Sequence, residues 1–302
     1  MNPYLKAMRL GRWPRSMALF MGTATFFFLN PEFLSSHTIP WIVGRALFSF
    51  LLTWAISTAN YLINEVADAP YDAHHPEKRE RPLIKGEVKA ISLLLLTTAL
   101  STGSMFTAAS FFPRGFFFSL LALLLAGFIY NIKPLRTKDI PFLDAISESS
   151  NNPIRFLIGW YSFSAAKNFP PPSLLLSWWA FGNFLLVGKR FSELRYLKEK
   201  AGAYRASLKK YSRLSLLLDI SISALLSFSG YLIFAFEFEL EFFFYLSPLV
   251  LLYFYFIFQK IIQEKDLIEE PERLLKNWKF ALYTLFLIFC FLISSLLEKI
   301  SP

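Results

Sequence analysis

The chain has 302 residues, 55% of them hydrophobic and 18% aromatic, and its mean hydropathy is +0.43. An ordinary soluble domain is about 45–50% apolar even with glycine counted, so this composition excludes a soluble globule and defines an integral membrane protein. The formal net charge is +9, and the single cysteine, Cys290, excludes an intrachain disulfide.

In chain order, a basic N-terminal segment leads into nine apolar runs that we read as helices: Met17–Leu29, Trp41–Leu62, Ile91–Phe112, Gly115–Asn131, Phe142–Phe163, Ser173–Val187, Leu214–Phe234, Phe242–Phe258 and Phe280–Leu297. Several are shorter than the ~20 residues of a perpendicular crossing, which implies tilt or burial within a bundle. The first run is followed by no small-residue cleavage site, so it is read as a helix rather than a signal peptide. No connection is long enough for a soluble domain. The expectation is an all-α bundle of nine transmembrane helices forming one domain over 1–302.

Lysine and arginine fix the expected orientation. With the N-terminus cytoplasmic, 26 of the 31 fall on the cytoplasmic side. Arg114, Lys167 and Lys299 fall outside, and Arg45 and Arg155 lie within runs. This bias predicts an inward N-terminus and an outward C-terminus. The positive charge thus belongs to one membrane face, where it serves topology and attracts anionic lipid or anionic substrates; no nucleic-acid partner is expected.

The most charged stretch, "NEVADAPYDAHHPEKRERPLIKG", follows the second run. Asn64, Asp68 and Asp72 recur at i, i+4 and i+8, which lines three oxygen-bearing side chains along one helix face. Such a ladder repels itself unless a cation sits on it. Mg²⁺ suits carboxylate oxygens and characteristically bridges to phosphates. Pro70 is expected to bend the helix between the two aspartates. Lys78, Arg79, Arg81 and Lys85 follow, and acids that hold a metal beside a basic loop are what a diphosphate requires. The competing reading is a solvated, mixed-charge loop. His74 and His75 have no further cysteine or histidine at a zinc spacing and read as loop residues.

The order N-x-x-x-D-x-x-x-D followed by K-R-x-R-P-L-x-x-G resembles the first signature of the UbiA superfamily of intramembrane prenyltransferases. The resemblance covers essentially the whole chain and implies cytoplasmic active-site loops, here 64–90 and 188–213. Glu65 stands where the family usually has aspartate. Typical members carry a second aspartate-rich motif after the sixth helix, whereas this chain has "VGKRFSELRYLKEKAGAYRASLKKYS". There Lys189, Arg190 and Glu193 are candidate substrate-binding residues, with Lys189 and Glu193 on one helix face. That segment is similar to the polyprenyl-phosphate phosphoribosyltransferase branch. "RLGRWPRS" resembles the branch's N-terminal R-x-x-x-W-x-K pattern through Arg9 and Arg15, with arginine in place of the usual lysine. "YNIKPLRTKDIPFLD" supplies Tyr130, Lys133 and Arg136 in the next cytoplasmic connection. Arg155, in "NNPIRFLIG", is a membrane-embedded charge and hence a functional candidate, with Asp144 and Glu148 as candidate partners.

The resemblance implies Mg²⁺-dependent transfer of 5-phosphoribose from phosphoribosyl diphosphate to a polyprenyl phosphate of decaprenyl type. Pyrophosphate is released, and the product would serve cell-envelope glycolipid or arabinan precursor synthesis. Asn64, Asp68 and Asp72 would be the metal-holding and catalytic residues. A bacterial inner membrane, with the active site on its cytoplasmic side, is the expected location, and homo-oligomerisation is left open. The alternative is a UbiA-type prenyltransferase that joins an isoprenyl diphosphate to an aromatic or other acceptor. A transporter or scaffold would use the charged loops for topology only, and no internal repeat supports it.

Overall fold

The computed structural model describes residues 2–72, 78–164, 168–263 and 277–300. Among the described residues the regular structure is helical. In chain order the α-helices are α1 (Pro3–Met8), α2 (Leu19–Leu29), α3 (Glu32–Ser36), α4 (Ile39–Asp72), α5 (Ala90–Phe111), α6 (Arg114–Asn131), α7 (Leu143–Ser149) and α8 (Asn151–Tyr161). They continue with α9 (Pro172–Leu197), α10 (Ala201–Tyr204), α11 (Arg213–Glu237), α12 (Glu241–Tyr245), α13 (Ser247–Gln263) and α14 (Trp278–Ile300).

Five of these, α4, α5, α6, α11 and α14, are long and apolar enough to cross a membrane, and α13 is a shorter apolar helix. Helix occupies all or part of each of the nine apolar runs, with three departures from the sequence reading. The first run begins as a 3-10 helix, Leu10–Ala18, which continues into α2. The fifth run divides between α7 and α8, and the eighth between α12 and α13. In the other direction, α4 continues as helix through Pro70 to Asp72.

The chain forms two compact units. The first comprises residues 1–138 and 150–170, the second 139–149 and 171–302. The split of the fifth run therefore has a physical basis: α8 belongs to the first unit, and α7, with its acids, to the second.

In the first unit α2 crosses α8 at backbone distance. A Cβ on Gly22 would lie 1.9 Å from the carbonyl oxygen of Phe156, and one on Gly159 would lie 1.8 Å from that of Leu19. The Thr23 hydroxyl donates to the Gly159 carbonyl at 3.2 Å. Lipid competes with apolar side chains for contact, so small residues that admit close backbone approach are what hold such a crossing. The α4–α6 pair uses the same device: Gly127 faces Asn60, whose amide donates to the Leu123 carbonyl at 2.8 Å. Arg45, which had no assigned role, closes two helix ends. Its guanidinium donates to the carbonyls of Phe111 and Ser162, at the C-termini of α5 and α8, and lies over the rings of Phe112 and Trp41. Terminal carbonyls without helical partners inside a membrane protein need such a donor.

In the second unit α9 and α11 pack along their length. The hydroxyls of Ser177 and Ser227 donate to each other's backbone carbonyl at 2.8 and 2.9 Å. Phe184, Val187, Leu216, Ile220 and Ile257 belong to the apolar core beside them. The start of α11 is fixed by a capping box, in which the Ser215 N–H donates to the Ser212 hydroxyl oxygen and the Ser212 N–H to that of Ser215, both at 3.0 Å.

Candidate functional site

The helix α4 delivers the acid ladder as its spacing predicts. At its C-terminal end the Asn64 amide donates to Asp68 Oδ2 at 2.9 Å and to Asn131 Oδ1, at the end of α6, at 2.7 Å. Asp68 Oδ1 accepts from Arg136 Nη2 at 2.9 Å and from Lys138 Nζ. Lys138 Nζ also donates to Asn131 Oδ1 at 2.8 Å. Arg136 is held in turn by the carbonyls of Ala67 and Asn131 and lies 4.5 Å from the Tyr71 ring centroid. Lys138 is 5.9 Å from the ring centroid of Tyr130, the predicted aromatic of this connection.

The next turn of α4 carries a second set of charges. Asp72 accepts from Arg81. Arg81 Nε is 3.8 Å from Glu65 Oε2, which also accepts from Arg9 Nη2 at 2.9 Å. Arg9, Glu65, Arg81 and Asp72 thus form an alternating chain that fastens the N-terminal segment to α4. Burial, reinforced by the neighbouring Arg81 charge, pulls the Arg9 guanidinium below its ordinary value, against the opposing effect of Glu65. Glu65, where the resemblance leads one to expect aspartate, is buried and presents Oε1 without a hydrogen-bond partner among the described residues. Its Oε2 is engaged by the N-terminal arginine.

Other predicted residues fall elsewhere. Lys133 is exposed, as is Arg79, which lies beside Glu80. Lys85 pairs with the same Glu80 on the surface. Lys78 opens a 3-10 turn, Lys78–Glu80, but its side chain lies outside the described residues, as do His74 and His75. Arg15 is half-buried in the 3-10 helix, and Arg155 is buried on α8.

The second unit holds its own charged cluster. Arg190 is wholly buried, and its guanidinium reaches Asp144, Glu148 and Glu193. Asp144 and Glu148, expected beside Arg155, are therefore engaged with Arg190, and Arg190 is turned toward protein carboxylates rather than toward solvent. Tyr211 donates to Asp144 Oδ1 at 2.6 Å and accepts from the Phe142 N–H. Burial and the Asp144 charge push the Tyr211 phenol up, so it remains a donor. Lys189 precedes Arg190 on α9 and is half-buried.

Sequence reasoning missed Lys138 and Asn131. Their signal was present in the quoted connection, where a second base follows Arg136 and an amide ends the apolar run. Ser207 and Tyr211 carried no signal beyond lying in a basic loop.

Chemically, the first cluster presents an oxygen donor set of two carboxylates one helical turn apart and the amide of Asn64, surrounded by three fixed cations. Among the described residues no three His, Cys, Asp or Glu side chains gather into a ready metal cluster, so any ion here would use Asn64 or a substrate oxygen as a further ligand. An all-oxygen set of this kind fits a hard divalent ion that keeps part of its coordination for phosphate or water.

An all-helical membrane protein with an acid-bearing helix end ringed by bases is the class that this fold and site define. The chain belongs to the UbiA prenyltransferase family, whose pattern matches residues 18–281. Over 197 residues it is 26% identical to the decaprenyl-phosphate phosphoribosyltransferase of Mycobacterium tuberculosis, covering 65% of this chain and 63% of that protein. It is 28% identical over 186 residues to the protein of that name from Corynebacterium glutamicum, covering 60% and 53%. The matched region thus spans less than two thirds of these relatives. Among solved structures, a UbiA homolog from Archaeoglobus fulgidus shares the fold with a TM-score of 0.68 at 20% identity, covering 97% of this chain and 99% of that one. The same homolog bound to DMAPP and Mg²⁺ gives 0.65 at 19% identity, covering 93% and 99%.

Proposed function

We propose that the chain transfers 5-phosphoribose from phosphoribosyl diphosphate to a polyprenyl phosphate within the membrane, with release of pyrophosphate. The observation that carries this reading is the Asp68 cluster, where Arg136, Lys138 and Arg81 crowd a carboxylate ladder at the end of a membrane helix. The phosphoribosyltransferase relatives support the choice of donor. The distribution of 26 of 31 basic residues supports nine crossings, an inward N-terminus, an outward C-terminus and a cytoplasmic site, and the bacterial relatives support an inner membrane.

Asn64, Asp68 and Asp72 would hold Mg²⁺, which supplies charge neutralisation for a diphosphate. Arg136 and Lys138 then bind the leaving pyrophosphate as the anomeric C–O bond breaks, and Arg81 orients it from the next turn. A lipid phosphate oxygen forms the new bond to the anomeric carbon from the opposite face. The nucleophile is already ionised, so no general base is required, and catalysis rests on positioning and fixed charge. Arg9 and Arg15 in the N-terminal segment are the candidates for the remaining phosphate.

A second reading, prenyl transfer from an isoprenyl diphosphate to another acceptor, is favoured by the A. fulgidus homolog bound to DMAPP or GPP. One assay separates the two. Purified protein with Mg²⁺, labelled phosphoribosyl diphosphate and a polyprenyl phosphate should yield labelled lipid and pyrophosphate. Product formed only from an isoprenyl diphosphate selects the second reading.

A further inference from the structure

The charged cluster of the second unit plays no part in the mechanism above. Arg190 has no exposed surface. Its Nε donates to Asp144 Oδ2 at 2.7 Å, its Nη2 to Glu148 Oε2 at 3.1 Å, and its Nη1 to Glu193 Oε1 and Oε2 at 3.3 and 3.2 Å. Three carboxylates from two helices, α7 and α9, therefore converge on one guanidinium. Asp144 additionally accepts from Ser207 at 3.0 Å and from Tyr211. Arg205 approaches from the same side, with Nε 3.7 Å from Glu193 Oε2 and Nη1 4.0 Å from Asp144 Oδ2. Lys189 is close enough for Glu193 and Glu148 to act on its charge.

Three acids from two elements converge here without forming a ready metal cluster. Here the space among their oxygens is filled by a planar donor fork, whose fixed geometry matches carboxylates better than a lysine ammonium would. Charge also balances: Asp144, Glu148 and Glu193 stand against Arg190, Arg205 and Lys189. A metal ion entering this cluster would have to displace a guanidinium that is completely enclosed, whereas Arg81 and Asp68 of the first cluster keep part of their side chains exposed.

We infer that Arg190 is a built-in cation in place of a metal: the Asp144, Glu148 and Glu193 cluster takes no divalent ion, and Arg190 acts as a positioning residue that ties α7, the cytoplasmic end of α9 and the 205–211 segment together. The inference extends the proposed function by confining the chain's metal demand to the Asp68 ladder, but it stands on the second unit's geometry alone.

The test counts Mn²⁺ bound to the purified full chain by electron paramagnetic resonance. The Asp68→Asn chain, with the first cluster disabled and the Arg190 network intact, is expected to bind none. Arg190→Ala should gain one Mn²⁺ per chain relative to the unsubstituted protein, and Arg190→Ala combined with Glu193→Gln should lose that gain. An ion bound by the Asp68→Asn chain that Glu148→Gln removes would overturn the inference, and this arm needs no Arg190 variant to fold. A well-folded Arg190→Ala chain that gains no ion would overturn it as well. If the unsubstituted protein binds no Mn²⁺ while Arg190→Ala gains one, the metal of the proposed function fails and the inference about Arg190 stands.

Discussion

Replacing Lys138 with methionine keeps most of the side-chain stem and removes one charge from the Asp68 cluster. Lys138 is about as buried as Arg136, with 7% of its side chain exposed against 9%. After substitution Asp68 still accepts from Arg136 at 2.9 Å and from Asn64 at 2.9 Å, so the carboxylate is not abandoned. The structural cost is then that of losing two charge-assisted hydrogen bonds, to Asp68 and to Asn131, each about 1.5–3 kcal/mol. The catalytic cost is separate. If the ammonium stabilises the departing pyrophosphate, its loss should lower kcat by roughly 10²–10³, about 2.7–4 kcal/mol in the transition state. The assay is steady-state transfer of label from phosphoribosyl diphosphate to polyprenyl phosphate in detergent, at saturating lipid, paired with thermal unfolding of the same preparation. A folded Lys138→Met chain whose kcat stays within about threefold of the parent, under 1 kcal/mol, refutes the assignment of Lys138 to the leaving group.

Asp68→Ala should reduce transfer to background and also lower the melting temperature, because it leaves Arg136 and Lys138 uncompensated, at a cost on the order of 3–5 kcal/mol. Retained activity in that variant would show that the ladder is only structural. Gly159→Val forces a side chain into the Leu19 carbonyl, where even a Cβ would lie at 1.8 Å, and is expected to abolish accumulation of folded protein as judged by size-exclusion chromatography. Tyr211→Phe removes a hydroxyl that donates to Asp144 and accepts from Phe142; thermal unfolding should register a loss of about 1–3 kcal/mol. Lys85→Gln breaks only the surface pair with Glu80, and unfolding curves before and after should superimpose.

The acid ladder was legible because its three residues share a helix face by arithmetic alone, and α4 is helical to Asp72. The cations around it were less so. Arg136 and Lys138 reach Asp68 from 68 and 70 residues away through a short 3-10 turn, and no periodicity announces that return. The fifth apolar run read as one helix because hydropathy averages over its acids. Asp144 and Glu148 at its start were the sign that this part needed a cation of its own, and the chain breaks at Ser150 accordingly. Arg190 looked available to phosphate because a sequence shows a charge but not what encloses it.

The Arg190 network also bears on how the protein is made. Asp144 leaves the ribosome 46 residues ahead of Arg190, and Ser207 and Tyr211 follow later still. Until α9 is synthesised, α7 holds two acids destined for a guanidinium that does not yet exist. That short helix is therefore expected to settle late, after segments that follow it in the chain.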